Sequence, residues 1–91
     1  MSDAETVSDI GVIEKSKTEE LRIALKEFKG RDYLDIRTFA DPYADEGQGR
    51  VPTKKGITLA PAKIAELIAV LRRAEAEAIS QGLLKPEAHA A

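Results

Sequence analysis

The chain contains no cysteine, one histidine (His89), no apolar run of membrane-spanning length and almost no net charge. Without cysteine there is no disulfide framework, no thiolate metal cluster and no thiol nucleophile. The single histidine lies in a tail expected to fray, and no other titratable group has a catalytic partner by spacing, so an enzyme is not expected. Residues Met1 to Lys17 lack the basic start and apolar core of a signal peptide. Nothing later approaches the roughly 20 apolar residues of a membrane span. An intracellular, soluble protein is expected. A formal net charge of −2, from 14 Lys+Arg against 16 Asp+Glu, argues against a protein that holds nucleic acid by bulk positive charge.

What is present is 91 residues with 43% apolar composition, enough for one small domain. A chain this short buries only about 60% of its unfolded surface, so a partner subunit is expected to complete its core. The charges are segregated. From Leu21 to Arg31 there are four bases (Arg22, Lys26, Lys29, Arg31) against one acid, Glu27, and from Arg50 to Gly56 three bases and no acid. Acids load the N-terminal tail (Asp3, Glu5, Asp9, Glu14) and the segment between the basic stretches (Asp41, Asp45, Glu46).

Residues 1–18 read as an acidic tail, unpacked to about Ser8, with a short strand over 10–13 where Ile10, Val12 and Ile13 cluster. Residues 19–82 form the folded domain and 83–91 a frayed tail. Within the domain, Leu21, Ile23 and Leu25 alternate with Arg22, Ala24, Lys26 and Phe28, the two-residue period of a strand. After a turn at Lys29-Gly30-Arg31, Leu34 and Ile36 alternate with Tyr33, Asp35, Arg37 and Phe39, completing a hairpin. A loop over Ala40 to Gly49 leads to two short strands, Arg50 to Lys54 and Lys55 to Leu59, the first placed towards an edge by Pro52. Then the period changes. Pro61 suits a helix start, Ile64, Leu67, Ile68 and Leu71 recur at helical spacing, and Gly82 is a stop. Ala60 is a weak N-cap. The fold class expected is α+β: four antiparallel strands and one C-terminal helix, ββββα, with an apolar face against the helix and a basic face open.

Asp41, Asp45 and Glu46 lack the spacing of a calcium loop, and Gly47-Gln48-Gly49 lacks the Lys-Ser/Thr of a phosphate loop. No metal or cofactor is expected. The open face is more informative, because Arg22, Lys26 and Phe28 share it with Tyr33, Arg37 and Phe39. Interleaved cations and rings suit single-stranded nucleic acid, where cations follow phosphates and rings stack on unpaired bases. The competing reading is a sheet kept soluble by its charges, with its rings paired across strands.

The sequence Lys26-Glu27-Phe28-Lys29-Gly30-Arg31, then Leu34-Asp35-Ile36-Arg37, then Pro52-Thr53-Lys54-Lys55-Gly56-Ile57-Thr58-Leu59 before Pro61 resembles the transcriptional positive cofactor 4 family of single-stranded-DNA-binding coactivators, in its compact bacterial form. The resemblance spans about Leu21 to Leu71. It implies a curved four-stranded antiparallel sheet and a helix, assembled as a homodimer through the helices. It also implies nucleic-acid contacts at Phe28 as the stacking ring, at Lys29 and Arg31 by the hairpin turn, and at Lys26, Arg37, Lys54 and Lys55. Where the eukaryotic pattern has a tryptophan, this chain has Ala40, so that stacking platform is either missing or supplied by Phe39 beside it. Asp35, two residues from Arg37 on the same face, competes for it as an ion-pair partner.

The expectation is therefore a homodimeric binder of single-stranded DNA with little sequence preference, accessory to transcription, replication or repair. RNA offers the same phosphates and rings. The resemblance implies a nucleoid-associated cytoplasmic protein in a bacterium and a nuclear one in a eukaryote. The alternative is an adaptor that docks an acidic partner of the transcription machinery on the basic face.

Overall fold

Alternating apolar and polar residues build four antiparallel strands: β1 (Glu5–Glu14), β2 (Glu19–Phe28), β3 (Arg31–Ala40) and β4 (Val51–Leu59). They lie in the order β1-β2-β3-β4 in an open, curved sheet, so each strand pairs with its sequence neighbours. A single helical turn, Pro61–Lys63, then leads into α1 (Ile64–Ser80). The computed structural model describes residues 5–41 and 49–86. The expectations for residues 1–4 and 87–91, for Asp45 and Glu46, and for His89 lie outside the described residues.

The strand inventory differs from the sequence reading in two places. β1 extends well beyond the short strand expected over 10–13 and includes Glu5 to Ser8, whose composition reads as an unpacked terminus. Its pairing with β2 slips between Thr6 and Ser8 and again between Asp9 and Gly11. Each slip is a bulge that resets the two-residue period. Every residue of β1 is also exposed, so no apolar alternation survives to be read. The two short strands expected at Arg50 to Lys54 and Lys55 to Leu59 are one strand, β4. The apparent break is a bulge, in which Arg37 pairs with Gly56 and Phe39 with Pro52, so that Thr53, Lys54 and Lys55 oppose Thr38 alone. β4 is an edge strand, where proline's missing N–H is tolerated.

The β2–β3 hairpin is regular from Glu19↔Ala40 to Phe28↔Arg31. Its two-residue loop has φ 54° at Lys29 and φ 78° at Gly30. Two positive φ values define the type I′ turn that matches strand twist. Strand pleating puts Leu21, Ile23, Leu25, Leu34, Ile36, Ile57 and Leu59 on one face. Glu20, Arg22, Ala24, Lys26 and Phe28 share the other with Arg31, Tyr33, Asp35, Arg37 and Phe39.

The chain divides into two units, the sheet up to Pro61 and the helical segment from Ala62. The apolar helical positions are not core in the single chain: Ile64 and Leu67 are half-buried, and Ile68 and Leu71 are exposed. Lys63 caps α1 without a side-chain hydrogen bond, and the preceding turn eases the chain into the helix. At the other end Gly82, at φ 77°, donates its N–H to Ile79 O, while Leu83 N–H reaches Ala78 O at 2.8 Å. This is the Schellman arrangement.

Arg50 ties the start of β4 to the far edge of the sheet. Its guanidinium donates to both carboxylate oxygens of Glu14 (3.0 and 2.8 Å), to Glu20 (2.6 Å) and to the Lys17 carbonyl (2.8 Å). Hydrogen bonds from Arg50, and at Glu20 first from Arg22, hold both carboxyl groups below the usual carboxylate range. The stabilisation from a lowered carboxylate pKa is complete above the ordinary value and is lost as pH falls through the lowered one.

Melting temperature is therefore expected to fall as pH is lowered from neutral past the ordinary carboxylate pKa, and the fall is expected to be smaller in Glu20→Gln. Equal acid sensitivity in the two proteins would show that the clasp contributes nothing. At the helix end, Gly82→Ala is expected to destabilise by roughly 1 kcal/mol, the cost of a left-handed conformation for a residue with a Cβ, measured by urea denaturation.

Candidate nucleic-acid interface

The pleat delivers Lys26, Phe28, Arg31, Arg37 and Phe39 to one face, as strand alternation requires, with Lys29 at its hairpin end. They are not evenly spread. From Arg31 to Phe39 is eight residues along β3, or roughly 26 Å at strand rise, and the face divides into three zones along that length.

The hairpin end holds Phe28, Lys29 and Arg31. Phe28 is half-buried, and the Lys29 ammonium lies 5.2 Å from its ring centroid. Beside the ring is a shallow recess of about 280 Å³, bordered by Phe28, Arg31, Tyr33 and Thr58. Two aromatic residues, a cation and an acid, Asp32, thus line a concavity next to an exposed lysine at the turn. Lys29 occupies a left-handed conformation more often taken by Gly, Asn or Asp.

The middle of the face is built on an acid. Asp35 is only 3% exposed and sits opposite Ala24. Its carboxylate receives Arg37 Nη2 at 2.9 Å and Nε at 3.5 Å, and Lys26 Nζ lies 3.4 Å away. The competition for Arg37 expected from spacing is realised. The hydrogen bond from Arg37 to Asp35 raises the guanidinium pKa above its ordinary value. Arg22 and Arg37 are direct cross-strand partners, a repulsive placement relieved because each has its own acid, Glu20 and Asp35.

The far end holds Phe39, but its ring is occupied. The Arg22 guanidinium lies 4.1 Å from the ring centroid and is paired with Glu20, which is 8% exposed. Such a cation–π contact is worth about 0.5 to 1 kcal/mol at an exposed site. Both rings are half-buried and each lies under a cation, Arg22 over Phe39 at 4.1 Å and Lys29 over Phe28 at 5.2 Å; Phe28 in addition borders the recess.

Lys54 and Lys55 are exposed on the β4 bulge. The bulge is sealed by Thr53, whose Oγ1 donates to Thr38 O (2.8 Å) and accepts the Lys55 N–H (3.1 Å). Arg37 Nη1 donates to Thr53 O at 3.3 Å. Gly56 lies under this guanidinium: a Cβ there would stand 2.5 Å from Ile36 O and 2.9 Å from Arg37 Cζ. The roles of Glu20 and Thr53 escape sequence reasoning. For Thr53 the one signal is the Lys54-Lys55-Gly56 triplet that interrupts the alternation of β4. Among the described residues, no group of His, Asp and Glu is placed to hold a metal ion, and no helix is long and apolar enough to cross a membrane.

Comparison with known proteins places this geometry. Two crystal forms of BPSL1147, a PC4 homolog from Burkholderia pseudomallei K96243, are similar to the chain. The tetragonal form has a TM-score of 0.65 at 31% identity, over 75% of this chain and 96% of that one. The orthorhombic form has a TM-score of 0.64 at 30% identity, over 82% and 95%. No curated protein matches the sequence. The family described as Transcriptional Coactivator p15 (PC4) matches residues 15–70, from the turn after β1 into α1. With β2, β3 and β4, the basic hairpin and the glycine-backed arginine all inside that match, the chain belongs to the transcriptional coactivator p15 (PC4) family.

Proposed function

We propose that this protein binds single-stranded nucleic acid, DNA in the first instance, with little sequence preference, as a homodimeric accessory factor in transcription, replication or repair. The observation that carries the reading is the hairpin end: a recess bordered by Phe28, Tyr33 and Arg31, with Lys29 beside it. Unpaired bases stack on such rings at about 1 to 3 kcal/mol each, whereas a duplex keeps its bases stacked on one another. Holding a lysine in a left-handed turn costs on the order of 1 kcal/mol, which favours a role for its charge at that place. Lys26 and the exposed pair Lys54 and Lys55 extend the cationic track, and non-catalytic binding needs nothing more.

A homodimer is supported by the apolar surface the single chain leaves open. Ile68 and Leu71 are 47% and 57% exposed on α1, and Val51 and Ile57 are exposed on the apolar face of the sheet. A second copy that covers them supplies the burial a chain of this size lacks.

Sedimentation equilibrium is expected to give twice the monomer mass, and Leu71→Asp to return it to one. Fluorescence anisotropy of a labelled 20-nucleotide strand should show binding well above that of the matching duplex. Its log affinity should fall with log salt by roughly 0.7 per phosphate neutralised. Phe28→Ala should weaken single-strand binding by about 1 to 3 kcal/mol with the dimer intact. Unchanged binding in Phe28→Ala, with loss only on charge reversal at Lys54 and Lys55, would instead favour an adaptor for an acidic protein.

A further inference from the structure

We infer that Arg37 acts as a positioning residue, anchored by Asp35 on one side and bound to Thr53 on the other, so that it fixes the β4 bulge that presents Lys54 and Lys55 and does not itself bind phosphate. This rests on the nucleic-acid reading above and assigns a division of labour within that face.

The donor inventory of Arg37 carries the inference. A guanidinium has five N–H groups and no acceptor, and three of them are engaged here, one on each nitrogen: Nε and Nη2 with Asp35, Nη1 with Thr53 O, which fixes the plane of the group and leaves one N–H on each Nη. The side chain is 21% exposed, and its partner carboxylate is 4% exposed. A phosphate that recruited this guanidinium would draw it from a buried carboxylate, whose desolvation is offset by that pairing. Lys26, 3.4 Å away on the neighbouring strand, shares the same carboxylate and does not replace the forked contact.

The other side of Arg37 leads directly to the lysines. Three β4 residues oppose one β3 residue at the bulge, which leaves the ladder there without its regular bonds. The substitutes converge on Thr53: its carbonyl accepts from Arg37, and its hydroxyl bridges Thr38 O to the Lys55 N–H. Gly56 completes the arrangement, because any Cβ at that position would meet the guanidinium carbon at 2.9 Å. Asp35, Arg37, Thr53 and Lys55 therefore form one continuous path from the centre of the face to its basic edge.

The test separates charge from position. Thr53→Val removes no charge, and Arg37→Lys keeps the charge while losing the fork. Each is expected to weaken binding of a labelled 20-nucleotide single strand roughly 3- to 10-fold, the scale of one or two net hydrogen bonds. Thr53→Ser, which retains the hydroxyl, is expected to bind like the parent. In a Lys54→Ala/Lys55→Ala background neither change should weaken binding further, whereas in a Lys29→Ala background both should keep their full effect. Near-parental binding by Arg37→Lys, or full additivity of its effect with loss of the two lysines, would overturn the inference and return Arg37 to phosphate contact. Amide exchange at Lys55 gives a reading that needs no ligand: it should accelerate in Thr53→Val and Arg37→Lys, and unchanged protection in both would overturn the path. A parent protein that binds no single strand, together with accelerated Lys55 exchange in the two variants, would reject the proposed function and leave the positioning intact.

Discussion

One buried carboxylate sets the terms for the whole polar face. Asp35 has almost no solvent access, so its charge must be met by the protein, and it is met from two strands at once, by Arg37 on its own strand and Lys26 on β2. The face therefore cannot behave as a uniform film of positive charge. Two of its cations are held at fixed places, and the neighbouring arginine, Arg22, is bound to Glu20 in the same way. Away from these pairs lie the hairpin turn with Phe28, Lys29 and Arg31, and the exposed lysines of the β4 bulge. The near-neutral charge of the chain reflects this economy, with acids placed where they organise the bases.

The central hairpin was legible because nothing interrupts its period. Leu21, Ile23 and Leu25, then Leu34 and Ile36, alternate without a slip through ten paired positions, and Lys29-Gly30 closes them by a standard turn. β1 and β4 were less legible for one shared reason. A bulge shifts every later side chain relative to the partner strand, so a pattern read along the chain breaks where the strand itself does not. Residues 5–8 consequently look like an unpacked tail ahead of a short strand over 10–13, and the single strand β4 looks like two. The helix was legible from spacing and from Gly82, but spacing alone does not distinguish a helix face buried within one chain from a face left open.

The same distinction applies to the site. Which residues share the face follows from alternation, and the Asp35 contact with Arg37 follows from their separation by two. Which rings remain available does not follow. Phe39 and Phe28 have equivalent places in the sequence pattern and each lies under a cation, a paired arginine from β2 over the first and the turn lysine over the second, but only the second borders a recess. The difference depends on rotamers and on Glu20, which binds Arg22 on the near side and Arg50 on the other.

The bulges have a further consequence for the life of the protein in a crowded solution. An open sheet has two free edges, and a straight edge strand offers its unpaired backbone groups as a template on which other chains can polymerise. β1 is ten residues long and displays Val7, Ile10, Val12 and Ile13, a composition suited to such growth, but two bulges break its row of backbone donors and acceptors. On the opposite edge, Pro52 removes a donor and the Lys54-Lys55 bulge bends the strand and adds charge. The distortion that exposes the two lysines thus also denies a foreign strand its register.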